Sequence, residues 1–96
     1  MNAAHKRGRP EILGDILDAV QQEIEENGGA RLTRVQARSN LSYDRLKEYV
    51  GMLVQGGLLS MNEDEGNVEL DITGKGLIFL INYKEMVGVL KTLGLF

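Results

Sequence analysis

The chain has no cysteine and a single histidine among its 96 residues. Without cysteine there can be no disulfide bond, no thiolate metal site and no cysteine nucleophile. The one imidazole, His5, lies in a basic N-terminal stretch, so neither a histidine metal cage nor a Ser-His-Asp triad is expected. No nucleophile is paired with a base, and we therefore expect no enzymatic activity and no cofactor.

Long apolar runs are missing as well. The longest, such as residues 77–81, fall far short of the ~20 residues that a membrane-spanning helix needs. No apolar segment follows the N-terminal basic residues, as it would in a secretory signal. The composition, 43% apolar and 26% charged residues, is that of an ordinary globular domain. We expect one soluble, cytoplasmic domain that does not contact a membrane.

The net charge of −3 conceals a strong segregation of charge along the chain. Residues 1–9 carry a net +3 and residues 31–47 a net +4, whereas residues 10–30 and residues 48–72 carry a net −6 each. Attraction to phosphate depends on the field at the contact surface rather than on the net charge of the whole chain. The two basic blocks therefore indicate a nucleic-acid partner.

The first half of the chain predicts two helices and a turn. Pro10 suits a first helical turn, and apolar residues then recur every three or four positions up to Ile24. The segment Asn27-Gly28-Gly29 predicts the end of this first helix. Thr33 and Gln36 have the spacing of a capping box, which predicts a short second helix over about residues 34–38.

The second half predicts a third helix, a β-hairpin and a final helix. Ser42 predicts the cap of the third helix. Apolar runs at residues 58–62 and 68–72 predict two short strands, the second of them strictly alternating. Thr73 predicts the cap of a last helix over about residues 75–93.

Three helices, a hairpin and a fourth helix are the elements of a winged helix-turn-helix. We therefore predict a mainly α (α+β) fold with a small β-hairpin. Its three parts are a flexible basic arm over residues 1–9, the winged helix-turn-helix over residues 10–72, and a C-terminal dimerisation helix over residues 73–96.

Three stretches of the sequence resemble one family. Residues 9–19 resemble its opening helix, and residues 33–59 resemble its central part through Asn40-Leu41-Ser42-Tyr43, Leu46, Tyr49, Leu53 and Gly57-Leu58-Leu59. Thr73-Gly74-Lys75-Gly76 is similar to the Thr-x-Lys-Gly that opens the family's last helix. The family is the archaeal winged helix-turn-helix family, ArnR-like, which includes the small dimeric chromatin-associated proteins of Sulfolobus. The resemblance covers about residues 9–93 and implies a DNA-binding winged helix that dimerises through its C-terminal helix.

The candidate DNA contacts lie on the second and third helices and in the arm. Arg34 and Arg38 are four positions apart, so both can face one phosphate strand. Arg45 can bind a guanine edge and Lys47 a phosphate, the alternative being that these charges only solvate the free face of the third helix. The full predicted set is Arg31, Arg34, Arg38, Ser42, Tyr43, Arg45, Lys47, Lys6, Arg7 and Arg9.

The arm contains Arg7-Gly8-Arg9-Pro10, which is similar to the core of the AT-hook. In that motif an extended Arg-Gly-Arg lies in a narrow A·T minor groove, whose negative potential attracts arginine. The alternatives are a basic arm that binds DNA without sequence preference and a tail whose charges are only solvated. Pro10 also has a sufficient structural reason, since it starts the first helix.

The predicted wing carries Glu63-Asp64-Glu65, whose charge opposes a phosphate backbone. Either this hairpin swings away from the duplex, or it meets a basic protein, or it is a solubilising turn.

The last helix has two apolar stripes. One contains Leu77, Leu80, Tyr83, Val87 and Leu90, and the other contains Phe79, Met86, Val89 and Leu93. A helix that is apolar nearly all round is buried on both sides, and a small domain has little left to cover the second side. Unless both stripes are covered within the chain, this pattern predicts a homodimer. The predicted dimer contacts are Leu80, Tyr83, Val87 and Leu90.

The resulting prediction is a homodimer that binds double-stranded DNA, as a transcription regulator or as a chromatin-associated factor of the nucleoid. The alternative is a winged helix that engages a basic protein partner through its acidic wing and first helix. Affinity for random duplex DNA at low salt, and its salt dependence, distinguishes the two.

Overall fold

Four helices and a three-stranded antiparallel sheet make up residues 7–95, the part of the chain that the computed structural model describes. The helices are α1 (Arg9–Asn27), α2 (Leu32–Ser39), α3 (Tyr43–Gln55) and α4 (Gly74–Thr92). The strands are β1 (Ala30–Arg31), β2 (Leu59–Asp64) and β3 (Asn67–Ile72), in the sheet order β1-β3-β2. The predicted fold class, a winged helix-turn-helix with an additional C-terminal helix, is confirmed.

Two of the predicted helix caps are present. The Ser42 hydroxyl accepts a hydrogen bond from the backbone N–H of Arg45 at 3.3 Å and begins α3. The Thr73 hydroxyl accepts one from the backbone N–H of Gly76 at 3.0 Å and begins α4. Each hydroxyl satisfies a donor that the first helical turn leaves without a partner.

The capping box predicted at Thr33 and Gln36 is wrong. The N-cap of α2 is Arg31, which has no side-chain cap, and the helix begins at Leu32. The physical reason is strand β1, which pairs Ala30 with Leu70 and so places the start of the helix before Thr33. A two-residue strand is too short to produce an alternating pattern in the sequence.

Strands β2 and β3 form the wing and extend further toward its tip than predicted. They pair continuously from Leu59 opposite Ile72 to Asp64 opposite Asn67. The two connecting residues, Glu65 and Gly66, have φ values of 51° and 81°. Positive φ at both positions is what a two-residue type I′ turn requires.

The core lies between the first three helices and the inner face of the sheet. Its most completely buried side chains include Ile16, Leu17, Val20, Val35, Leu46 and Leu59. Helix α4 closes the core, because Leu80 is only 3% exposed and the ring of Tyr83 packs on Gly14 of α1. A second close approach lies at Gly76, where a Cβ atom would meet the carbonyl oxygen of Leu58. This contact gives a structural reason for glycine at the end of the Thr-Gly-Lys-Gly segment.

The prediction of a flexible arm over residues 1–9 requires correction at Arg7 and Arg9. Arg9 is the first residue of α1, and Arg7 is held against the body of the domain. Its Nη1 donates to Asp15 Oδ2 and to the carbonyl oxygen of Ser39, each at 3.0 Å, and its Nη2 donates to the carbonyl oxygen of Asn40 at 3.2 Å. The predicted arm is therefore not free at Arg7 and Arg9, and residues 1–6, which include Lys6, lie outside the described residues.

The AT-hook interpretation stays a prediction, and the chain without DNA does not hold the conformation that it requires. An AT-hook needs an extended Arg-Gly-Arg whose side chains are free to enter a minor groove. Here Arg9 is helical, and all three contacts of Arg7 are to its own chain.

Within residues 7–95, no helix combines the length and the apolar character that crossing a membrane would require.

Candidate nucleic-acid interface

Helix α3 presents the predicted cations on its outer surface. Lys47 Nζ lies 5.2 Å from the centre of the Tyr43 ring, and Arg45 Cζ lies 5.8 Å from the centre of the Tyr49 ring. Arg45 Nη2 is also 3.4 Å from the Tyr49 hydroxyl. Tyr49 is buried and Tyr43 is 44% exposed. These cation–π contacts hold both cations along α3 while leaving them exposed to solvent.

Two exposed acids lie on the same helix, Asp44 and Glu48. Asp44 is in the first turn of α3, where the helix dipole stabilises a negative charge. Its position therefore has a structural cause. Ser42 caps the same helix end, so the first turn of α3 combines one cap, one acid and the two exposed predicted contacts Tyr43 and Arg45.

The arginines of α2 have an acidic neighbour that sequence reasoning missed. Glu23 of α1 is only 2% exposed, and Arg34 Nε lies 2.8 Å from its Oε1. Arg38 Nε donates to the other oxygen of Glu23 at 2.9 Å, and Arg38 Nη2 lies 2.8 Å from that same oxygen. Asn27 Nδ2 adds a third donor at 3.0 Å. The signal in the sequence was a glutamate on the apolar side of an amphipathic helix, directly beside Ile24.

These contacts shift two pKa values. The hydrogen bonds from Arg34 and Arg38 lower the pKa of Glu23, against an opposing effect of its burial. The hydrogen bonds to Glu23 and Glu26 raise the pKa of Arg38. Both shifts favour the charged forms, so the cluster consists of ions at neutral pH.

Arg34 and Arg38 differ in how many guanidinium nitrogens remain available to bind a ligand. All three nitrogens of Arg38 are engaged, since Nη1 also donates to Gln22 at 2.6 Å and Nη2 to Glu26 at 2.9 Å. Its side chain is 29% exposed. The side chain of Arg34 is 59% exposed, and its terminal nitrogens have no hydrogen-bond partner among residues 7–95. Of the two, Arg34 is the one that can still bind an anion.

Arg31 lies beside Arg34. Both line a hollow at the junction of α1, β1 and α2, together with Asn27, Gly28, Gly29 and Glu69. Arg31 is exposed and faces Glu69 in the register of the sheet. The hollow therefore brings two of the three predicted α2-region arginines to one place.

The acids of α1 are largely neutralised within the chain. Asp15 pairs with Arg7 at 3.0 Å, and Asp18 pairs with Lys84 of α4 at 2.9 Å. Glu23 and Glu26 pair with α2 as described. The charge blocks that are separated along the sequence thus meet in space, and α1 is not a free acidic surface.

The dimer contacts predicted on α4 require correction at Leu80 and Tyr83. Leu80 belongs to the core, and Tyr83 is half-buried against α1, so these side chains are already covered by their own chain. Val87 and Leu90 are half-buried. The opposite side of the helix is exposed instead, at Ile78 (64%), Ile81 (60%), Val89 (58%), Leu93 (63%) and Met86 (47%).

Comparisons with known proteins agree with this geometry. The model of the winged helix-turn-helix family matches residues 6–91. No curated protein matches the chain in sequence. Among solved structures, the chain is similar to Sso10a-2, a DNA-binding protein from Sulfolobus solfataricus, with a TM-score of 0.75 and 26% identity over 91% of this chain and 85% of that one.

Two further structures share the fold at lower identity. F-93 from SSV1 has a TM-score of 0.64 and 20% identity over 95% of this chain and 99% of its own. The PcaV transcriptional regulator from Streptomyces coelicolor has a TM-score of 0.75 and 21% identity over 96% of this chain, which spans only 63% of that longer chain. With the family match over residues 6–91 and the archaeal neighbours, the expected resemblance is confirmed, and the chain belongs to the winged helix-turn-helix family.

Proposed function

We propose that the protein is a homodimeric winged-helix DNA-binding protein that acts as a transcription regulator or as a nucleoid-associated chromatin factor. The observation that carries this proposal is a set of exposed cations on the helix-turn-helix of an otherwise acidic chain: Arg31, Arg34, Arg45 and Lys47. The similarity to Sso10a-2, described as a DNA-binding protein, supports it.

Helix α3 is the recognition helix of this proposal. In helix-turn-helix docking, the N-terminal part of the second helix contacts base edges while the first helix crosses the backbone. Ser42, Tyr43 and Arg45 lie at the N-terminal end of α3. Arg45 would bind the O6 and N7 atoms of guanine, and Lys47 would bind a phosphate. Arg31 and Arg34, at the start of α2, would bind the backbone.

The homodimer rests on the exposed side of α4. Ile78, Ile81 and Val89 are each more than half exposed on a helix of 19 residues. Several large apolar side chains exposed on one side of a helix are typical of an interface. A second copy related by a twofold axis would cover it and would present two α3 helices to successive major grooves.

Binding to a random-sequence duplex tests the DNA-binding proposal. By fluorescence anisotropy at ~50 mM salt we expect saturable binding, weakening steeply toward ~200 mM as bound counterions are released. Lys47→Ala is expected to lower the slope of log K against log salt by about one. Lys84→Ala removes the same charge from α4, away from the helix-turn-helix, and is expected to leave the slope unchanged. Absence of binding at ~50 mM salt would contradict the proposal.

A basic protein partner remains the second candidate, on one observation. Glu63, Asp64 and Glu65 are exposed at the tip of the wing and form no ion pair within residues 7–95. The first helix no longer supports this candidate, because most of its acids are paired within the chain. A chain that fails to bind DNA but binds a basic protein, and loses that binding when the three wing acids are neutralised, would favour it.

A further inference from the structure

We propose that Glu23 is a positioning residue for DNA binding, which fixes Arg34 so that its terminal nitrogens can clamp a backbone phosphate, while Arg38 balances the charge of Glu23. The inference rests on the proposed DNA-binding function. It assigns three different roles to residues that form one ion cluster, here called the Glu23 cluster and consisting of Glu23, Glu26, Arg34 and Arg38.

The carboxylate of Glu23 is a rigid anchor. It is 2% exposed, and both of its oxygens accept hydrogen bonds. Oε1 accepts from Arg34 Nε at 2.8 Å and from Asn27 Nδ2 at 3.0 Å, while Oε2 accepts from Arg38 Nε at 2.9 Å. Rotation of the carboxylate would break bonds on both sides at once. An arginine attached to such a group is held in one orientation.

Arg34 is attached in the manner that suits phosphate binding. Its Nε points into the cluster, and the terminal pair of nitrogens is left for a ligand. That pair forms a planar fork which matches two oxygens of a phosphate. Because a free arginine loses much rotamer freedom when it binds, an arginine that is already anchored loses less. The bond to Glu23 therefore raises the affinity of Arg34 for phosphate by fixing the orientation of the side chain in advance.

Arg38 has a different role, although it lies on the same helix one turn later. Its three nitrogens are engaged by Glu23, Gln22 and Glu26, so a phosphate could reach it only by displacing a bond that exists. Without Arg38, the buried carboxylate of Glu23 would be compensated by Arg34 alone. Because Arg38 also balances the charge of Glu23, Arg34 is not the only counter-charge of that carboxylate. Arg34 can therefore bind a phosphate while it stays anchored.

The ligand is a phosphodiester of the DNA backbone. The four residues of the Glu23 cluster sum to zero formal charge, so the cluster itself exerts little long-range attraction. Arg31 lines the same hollow as Arg34 and forms no salt bridge with another described residue, but Glu69 also lines the hollow and offsets its charge. A phosphate would therefore be held by the terminal nitrogens of Arg34, which Glu23 fixes in advance.

A double-mutant cycle on DNA affinity tests the inference, with Glu23→Gln, Arg34→Ala and the double variant titrated against one random duplex at several salt concentrations. Arg34→Ala is expected to weaken binding about three- to tenfold and to lower the salt slope by about one. Glu23→Gln removes a negative charge, so simple electrostatics predicts tighter binding. The inference predicts weaker binding, by about threefold or more, and no further effect of Glu23→Gln once Arg34 is alanine.

Lys84→Ala is the matched control, since it removes one positive charge that is paired with an acid of α1 but lies on α4, outside the Glu23 cluster. It is expected to leave the salt slope unchanged. Tighter binding of Glu23→Gln in both backgrounds would show that Glu23 acts only as a negative charge and would overturn the inference. Equal salt slopes for the wild type and Arg34→Ala would overturn it as well.

Arg34→Lys keeps the test decisive if Glu23→Gln does not fold. Lysine retains the charge but has neither the Nε anchor nor the fork, so this variant is expected to bind nearly as weakly as Arg34→Ala. Binding equal to that of the wild type would refute positioning. Failure of the wild type to bind DNA is a separate result, which would remove the proposed function itself.

Discussion

Among single residues, Glu23 matters most for both the stability of the fold and the proposed DNA contacts. It is the one carboxylate that lies within the core side of α1, and it connects α1 to both arginines of α2. A buried carboxylate without a partner would cost far more than an exposed one, so its stability contribution depends on remaining ionised and paired.

The pH dependence of stability follows from the lowered pKa of Glu23. Since the folded pKa lies below the unfolded value of about 4.5, the contribution is fully present above that value and is lost as pH falls through the folded pKa. Urea unfolding is therefore expected to show a large stability difference between the wild type and Glu23→Gln at pH 7, which shrinks below about pH 4.5. Glu25→Gln, an exposed site on the same helix, is the control. A difference that does not change with pH would contradict the assignment.

A second prediction at this scale concerns glycines inside helices. A Cβ atom on Gly14 would lie 2.5 Å from the ring of Tyr83, whereas one on Gly51 would meet no heavy atom within 4 Å. Alanine favours the helix by up to ~1 kcal/mol at both positions. We expect Gly51→Ala to stabilise the fold by about that amount and Gly14→Ala to destabilise it by about 1–3 kcal/mol, as overpacking does. Equal unfolding free energies for the two variants would show that α4 does not pack on α1 in this way.

At the scale of elements, Arg7 ties the start of α1 to the turn between α2 and α3. It donates to the carbonyl oxygens of Ser39 and Asn40, and Asn40 holds the left-handed conformation of the α2 C-cap. The turn sets the angle between the two helices of the helix-turn-helix. Arg7 is therefore connected to α3 through the backbone of that turn.

Because of this connection, we expect Arg7→Ala to affect stability rather than the salt dependence of DNA binding, unlike the loss of a phosphate contact. We expect it to lower stability by about 1–2 kcal/mol, through the loss of three hydrogen bonds, and to speed hydrogen exchange at the first amides of α3. Arg9→Ala, at an exposed site in the first turn of α1, is expected to change stability by less than ~0.5 kcal/mol. A salt slope of DNA binding lowered by a full unit in Arg7→Ala would instead make Arg7 a phosphate contact.

The elements differ in how well the sequence predicts them, for physical reasons. Helix α1 and the wing have regular apolar periods, which predict their existence and their inward faces. Helix α4 is apolar nearly all round, so periodicity cannot decide which stripe packs inward, and the prediction assigned Leu80 to the wrong side. Strand β1 has only two residues, which is too short to produce an alternation of apolar and polar residues in the sequence.

The sequence predicted the cations of the candidate interface but not the acidic side chains that pair with them. Arg31, Arg34, Arg45 and Lys47 stand out from the distribution of charge along the sequence, and all four are exposed on the helix-turn-helix. The pairing of Arg34 with Glu23 joins positions 11 apart through the packing of α1 on α2. Charge counted along the chain cannot detect such a pair.

At the scale of the whole molecule, the proposed dimer predicts opposite outcomes for two neighbouring residues of α4. Ile81 is 60% exposed and Leu80 is 3% exposed. We expect Ile81→Glu to give a folded monomer by light scattering, because it places a charge in the proposed interface. Leu80→Glu is expected to unfold the domain, since it buries a charge in the core. A wild-type chain that is monomeric at ~100 μM would contradict the dimer.

DNA binding by the helix-turn-helix is tested most directly by mapping backbone amide NMR shifts on titration with a short DNA duplex. We expect the largest changes at residues 31–34 and 42–47, with small changes along the outer face of α1. Changes concentrated on the acidic tip of the wing or on α1, with residues 31–47 unaffected, would contradict it.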